Sequence, residues 1–182
     1  MHGGWEVGNG AYQEYVKVDK ELIIPIPDNI SFEAAATLPL ATITAGLGIF
    51  EKLGFPFPGQ GEKKVPFLVW GGASSVGQYA IQYANLVGAT VIATASKQNH
   101  ELLKSLGATY TVSYKDPDVI EQIKKAAGGP VEYGFDCVSE VATVKQAYPA
   151  YKPDGKLVEL IPVDKTKTGD TLQHFHVFMW VS

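Results

Sequence analysis

The sequence predicts an α/β fold, a doubly wound parallel sheet with crossover helices. Three observations carry this expectation. From Val65 onward, short apolar runs alternate with segments of helical periodicity, the pattern of strand–helix–strand units. A glycine-rich turn, Gly71 to Gly77, joins the first run to the first helix of that series. Glycines stand where successive helices must end, at Gly88, Gly107 and Gly128-Gly129.

The elements follow in chain order. Ala11 to Val18 alternates apolar and polar residues, which predicts a half-buried strand. Pro25 to Asn29 is a turn-rich connector, and Ser31 caps a helix starting at Phe32. Asn29-Ile30-Ser31 also matches a glycosylation acceptor, but the turn-and-cap assignment accounts for it. A second short helix is expected from Pro39 through Thr44 to Lys52, ended by Gly54 and the FPFPGQG loop. Val65 to Trp70 is the first strand of the sheet, Val76 to Val87 its helix and Thr90 to Ala95 the second strand. Asn99 to Leu106 and Pro117 to Ala127 read as helices on either side of a strand from Tyr110 to Tyr114. Val131 to Val138 and Lys156 to Ile161 are further strands around a helix from Val141 to Tyr148, and His174 to Val181 alternates as a last strand.

Chemistry concentrates at the glycine turn. Gly71-Gly72-Ala73-Ser74-Ser75-Val76-Gly77 approximates GxGxxG with Gly72, Ser74 and Gly77 in the three positions, serine replacing the middle glycine. The first position permits a tight turn, the second lets a pyrophosphate approach the backbone, and the third lets helix and strand pack closely. The helix starting beside Ser75 aims free N–H groups and its positive dipole end at the phosphates. Similar turns occur without a nucleotide. Here, though, the turn follows a strand and opens a helix in a strand–helix–strand unit of about thirty residues, as dinucleotide binding requires.

The end of the second strand discriminates between cofactors. NAD sites usually place Asp or Glu about 20 residues on to hold the ribose hydroxyls. This chain has Ala95-Ser96-Lys97-Gln98-Asn99 there. Ser96 and Asn99 can hydrogen-bond to a 2′-phosphate and Lys97 can supply charge, so NADPH is expected over NADH. The competing assignment for Lys97 is a solvated residue at a helix start.

Bulk properties exclude several classes. A net charge of -4 without clustered Lys and Arg argues against nucleic acid as a partner. The single cysteine, Cys137, rules out an internal disulfide and fits a reducing compartment, so the expected location is cytoplasmic. The N-terminal stretch has no signal or transit pattern, and no apolar run of membrane-spanning length is read, so no membrane partner is expected.

GAYQEYV, LPLATITAGLGIF, VWGGASSVGQYAIQYA, LLKSLGA and FDCVS together resemble the medium-chain dehydrogenase/reductase superfamily, across nearly the whole chain. The resemblance is nearest to the zinc-independent quinone oxidoreductase branch and the fungal trans-acting enoyl reductases. It implies a Rossmann-type domain over residues 23–182, incomplete at its C-terminal side, preceded in residues 1–22 by a remnant of a GroES-like catalytic domain, and hence a fragment. It places Thr44 near the nicotinamide as the catalytic candidate, against a helix-interior threonine bonding back to a carbonyl. It puts Tyr114 by the 2′-phosphate, unless it is an ordinary strand-end aromatic, and Val138 and Ser139 as backbone contacts along the nicotinamide ribose. Tyr12 is a weaker candidate from the stub.

In zinc-dependent relatives a cysteine lies four residues before the Thr44 position, where this chain has Leu40, so no catalytic zinc is expected. His174 and His176 share a strand face without a third ligand and read as packing residues. The implied activity is zinc-independent hydride transfer from NADPH to an electrophilic small molecule, an activated C=C or a quinone. The alternatives are an NADPH-dependent alcohol or aldehyde reductase of the same fold, and a truncated, non-catalytic NADPH-binding protein. Open sheet edges at both termini, and the family's habit, imply a homodimer.

Overall fold

Six apolar segments, each bounded by glycine or turn residues, become strands of one sheet in the computed structural model, which describes residues 10–177. The strands are β1 (Pro66–Trp70), β2 (Thr90–Ala95), β3 (Tyr110–Ser113), β4 (Val131–Asp136), β5 (Tyr151–Glu159) and β6 (Gln173–His176). All pairings are parallel, in the order β3-β2-β1-β4-β5-β6. The helices are α1 (Phe32–Gly46), α2 (Ser75–Leu86), α3 (His100–Ser105), α4 (Val119–Ala127), α5 (Val141–Ala147) and α6 (Lys165–Thr168). This is the doubly wound arrangement the alternation predicts, a Rossmann-like sheet with helices on both faces.

Buried strands need apolar side chains on both faces, which is why they read as continuous apolar runs. Phe67 and Val69 of β1 join Val91, Ala93 and Phe135 in a core shared with Ile49, Ile81 and Leu103. Leu68 and Trp70 point the other way, into a second core with Ile92, Ile123, Val144 and Leu157. The sheet is therefore covered on one side by α1 to α3 and on the other by α4 to α6.

Four local expectations are corrected. Residues 11–18 form no strand and are almost wholly exposed, because no strand among the described residues lies beside them to take up their backbone groups. The two short helices are one: α1 runs through Pro39 and continues as a π-helical segment, Leu47–Lys52. Proline removes the bond to the Ala35 carbonyl, but this part of α1 faces outward, where water can satisfy that group. The joined helix, 21 residues from Phe32 to Lys52, is long and apolar enough to cross a membrane by length and composition, contrary to the sequence expectation. Its inner part is instead packed in the core through Ala45 and Ile49. Finally, β5 starts at Tyr151 rather than Lys156, passing through an irregular register opposite Val131 and Tyr133. The outer half of the expected last strand, 178–181, lies outside the described residues.

The start of β5 carries one costly group. Tyr151 is buried, and its hydroxyl has no hydrogen-bond partner among the described residues. An unsatisfied buried hydroxyl costs about 1–3 kcal/mol. Tyr151→Phe is therefore expected to preserve the fold and raise unfolding free energy by about 1 kcal/mol. An unchanged or lower urea midpoint would show that the hydroxyl has a partner.

Candidate functional site

The strand order places a crevice. From β1 the chain winds outward through β2 and β3, then returns to β4 on the other side, so the loops after β1 and β4 diverge to opposite faces. Register aligns the C-terminal ends: Ala93 lies beside Val69, Trp70 beside Asp136, Asp136 beside Glu159 and Glu159 beside His176. The glycine turn after β1, Ser96 after β2, Tyr114 after β3 and Val138-Ser139 after β4 thus share one edge of the sheet.

At the turn, Gly71 has φ +78°, a conformation that favours glycine. Its N–H donates to the Thr94 hydroxyl at 3.1 Å, and the Gly72 N–H to the Thr94 carbonyl at 2.8 Å. The tight-turn role expected of Gly72 therefore falls to Gly71, while Gly72 is glycine for packing: a Cβ there would lie 2.8 Å from Leu103 Cδ2. Ser74, at the middle-glycine position, is the N-cap of α2. Its hydroxyl accepts from the Gly77 N–H at 3.1 Å and donates to the Gly71 carbonyl at 2.9 Å. A Cβ on Gly77 would stand 2.4 Å from the Gly71 carbonyl oxygen, so helix and turn touch backbone to backbone.

With Gly77 capped, the amides of Ser75 and Val76 at the first two helical positions have no intrahelical acceptor. The first turn of α2 carries no acidic residue, so nothing local opposes an anion at the dipole's positive end. The Ala73 carbonyl is held by Gln78 Nε2 at 3.1 Å, which fixes the approach to the helix. These residues fit the pyrophosphate of a dinucleotide, which Ser75 and Val76 would hold through backbone donors.

Beyond β2, Asn99 Nδ2 donates to Ser96 Oγ at 3.3 Å, at the start of a short 3-10 turn over Lys97–Asn99. Lys97 is exposed, and its ammonium pairs with Asp116 Oδ1 at 3.1 Å. Ser96 to Asn99, directly after β2, include no carboxylate; the fold brings one there from the β3–α4 loop. Lys97 beside it holds the Asp116 carboxyl below its ordinary range. Tyr114 is exposed just after β3, with the Lys115 ammonium 5.8 Å from its ring centre and its carbonyl held by Gln146 Nε2 at 2.7 Å.

After β4, the backbone N–H groups of the two residues expected as ribose contacts point inward. Val138 and Ser139 donate their N–H groups to Asp136 Oδ1 at 2.9 and 3.0 Å. Ser139 adopts φ 61°, and its hydroxyl donates to the Asp136 carbonyl and accepts from the Leu160 N–H at 2.7 Å. The loop also turns the exposed Val138 side chain toward the crevice, close against Gly71. Asp136 is fully buried, and burial raises its carboxyl's pKa, against the pull of bonds from Ser139, Thr143 and Val138.

Thr44 is buried in α1, and its hydroxyl donates to the Leu40 carbonyl at 2.6 Å, the back-bonded arrangement that competes with a substrate-side role. Tyr12 is fully exposed. His174 and His176 are more than packing residues. His174 Nδ1 meets Glu159 Oε1 at 2.9 Å and its Nε2 meets Asp170 Oδ1 at 2.7 Å, while His176 Nδ1 lies 3.3 Å from Glu159 Oε2. Glu159 itself is fully buried. A lone carboxylate within an apolar run, as in KLVELI and YGFDCV, is the sequence signal for both buried acids.

A family model described as zinc-binding dehydrogenase matches residues 75–171. A zinc-type alcohol dehydrogenase-like protein of Schizosaccharomyces pombe is 43% identical over 171 residues, covering 87% of this chain and 49% of the relative. A trans-enoyl reductase of Fusarium sp. is 38% identical over 156 residues, covering 84% of this chain and 44% of its own length. Among solved structures, the quinone oxidoreductase of Thermus thermophilus, described with its NADPH complex, superposes with a TM-score of 0.73 at 25% identity, covering 94% of this chain and 54% of that one. The chain spans about half the length of the curated relatives it matches. Sequence and fold agree: the chain belongs to the medium-chain dehydrogenase/reductase superfamily, and it carries the nucleotide-binding part.

Proposed function

We propose that this chain holds NADPH for a zinc-independent oxidoreductase that delivers hydride to an activated C=C or a quinone. The observation that carries this is the glycine turn at the crevice, where a serine-capped helix presents two amides without intrahelical acceptors to an anion. Bound NADPH would supply the hydride. The chain's own residues do the rest. Ser75 and Val76 anchor the pyrophosphate, Ser96, Lys97, Asn99 and Tyr114 receive the adenosine 2′-phosphate, and Val138 closes over Gly71. Similarity to trans-enoyl reductases supports the electrophile class. Leu40, at the position of a zinc-ligating cysteine in zinc-dependent relatives, supports chemistry without metal. A cytoplasmic homodimer completes the proposal.

One second assignment has support of its own: alcohol or aldehyde reduction, favoured by the Schizosaccharomyces relative's description. Titration with NADPH and NADH, run beside turnover assays on enones, quinones and aldehydes, tests both. Binding without turnover of any of them would limit this chain to nucleotide binding. Lys97→Glu is expected to lower the NADPH-to-NADH affinity ratio about tenfold, by reversing a charge next to the 2′-phosphate. An unchanged ratio would remove Lys97 from the site.

A further inference from the structure

The β2–α3 and β3–α4 loops meet at one contact. Lys97 reaches across it to Asp116 at 3.1 Å, and the two partners are unequally held. The Lys97 side chain is 74% exposed at the end of a flexible stem, whereas that of Asp116 is 23% exposed. Asp116 is pinned from behind: its backbone N–H donates to the Ser113 carbonyl at 3.1 Å, and its second carboxylate oxygen accepts from Gln122 Nε2 of α4 at 3.3 Å. Gln122 is itself steadied by Asp118 Oδ1 at 2.8 Å. The carboxylate is therefore the fixed member of the pair and the ammonium the movable one.

We propose that Asp116 is the residue that sets the nucleotide selectivity of this site, by competing with a 2′-phosphate for Lys97. This rests on the nucleotide site proposed above. A phosphate drawn to Lys97 must either take the ammonium from Asp116 or share it at close range with a second anion. A 2′-hydroxyl meets no such opposition and can donate to a carboxylate, the arrangement by which acidic residues hold an unphosphorylated ribose. Asp116 thus narrows the gap between phosphorylated and unphosphorylated cofactors, although Ser96 to Asn99, directly after β2, carry no negative charge. Asp116 stays ionised at neutral pH, since Lys97, Gln122 and His100 all act to lower its carboxyl's pKa.

The magnitude follows from Coulomb's law. A doubly charged phosphate about 6 Å from a carboxylate, in a largely aqueous setting, is opposed enough to change affinity by about tenfold. The test uses the whole chain and two probes that engage only the adenosine half of the site, adenosine 2′,5′-bisphosphate and 5′-AMP, titrated calorimetrically at low and high salt. Asp116→Asn keeps the side chain's shape and is expected to bind the bisphosphate about tenfold more tightly, with 5′-AMP bound no more tightly than by the native chain and the gain shrinking as salt rises. Asp116→Ser removes the charge without keeping the shape and should move selectivity the same way. Unchanged or weaker bisphosphate binding in both variants, with 5′-AMP binding intact, would overturn this role and make Asp116 a support for Lys97. Failure of every variant and the native chain to bind either probe would instead overturn the nucleotide site, and this role with it.

Discussion

Gly77→Ala is expected to abolish nucleotide binding and to lower unfolding free energy by about 2–3 kcal/mol. The added methyl would stand 2.4 Å from the Gly71 carbonyl oxygen and 2.8 Å from Gly72 Cα, and both neighbours are backbone. No rotamer change relieves such a contact, so α2 must move away from β1. That movement breaks two bonds at once, because Ser74 Oγ joins the Gly77 N–H to the Gly71 carbonyl. The amides of Ser75 and Val76 are then no longer aimed at the position a pyrophosphate would take. Urea unfolding and a titration with adenosine 2′,5′-bisphosphate read the two effects separately. Native-like binding by Gly77→Ala would show that the turn is not the anchor.

The second large effect is expected two strands away, at the end of β5. Glu159 is fully buried and bridges His174 and His176, so Glu159→Gln should destabilise the chain by about 3 kcal/mol at neutral pH. The amide cannot serve as a charged acceptor, and two imidazoles lose their common partner. Burial pulls the His174 pKa down, but the bonds to Glu159 and Asp170 outweigh it and the net direction is up. That contribution is complete below the ordinary histidine value of 6.5 and is lost as pH rises through the raised value in the fold.

Asp170 behaves in the opposite sense. Burial pushes its pKa up, but Thr168, His174 and the Leu172 amide bring it net down, so its contribution is present above the ordinary 3.8 and lost as pH falls through the lowered value. Asp136, whose carboxyl burial raises, favours the fold as pH falls. A urea-midpoint profile should therefore decline on the alkaline side in the native chain and decline less in Glu159→Gln. Parallel profiles would show that Glu159 does not govern His174.

The sheet was legible because its information is local. Thr90 to Ala95 is an apolar run between Gly88 and a polar stretch, and β2 occupies those residues. The glycine turn is equally local: strand, turn and helix are consecutive, and their spacing alone describes the backbone contact at Gly77. The errors arise where the deciding partner is distant or absent. Ala11 to Val18 has the alternation of a strand, yet alternation cannot supply a neighbour to pair with. Tyr151 to Asp154 carries no strand pattern, but pairing with β4 extends β5 through it. Lys97 could be identified as a cation beside the turn, whereas Asp116 is brought to it by α3 and β3. Val138 and Ser139 could be named from the loop after β4, but that their amides bond to Asp136 is visible only in the fold.

Pro39 gives α1 an unequal character along its length. The turns before it are mostly exposed and lack one backbone bond, while those after it are locked between α2 and the sheet, partly through the 2.6 Å contact of Thr42 with Tyr83. Opening the outer turns uncovers little apolar surface, so they can fray as a unit far below the cost of global unfolding. The helix is in effect a fixed post with a loose outer end. Amides of residues 32–38 are therefore expected to exchange hydrogen by local opening, and those around the buried Thr44, one turn inside the boundary, only with the core.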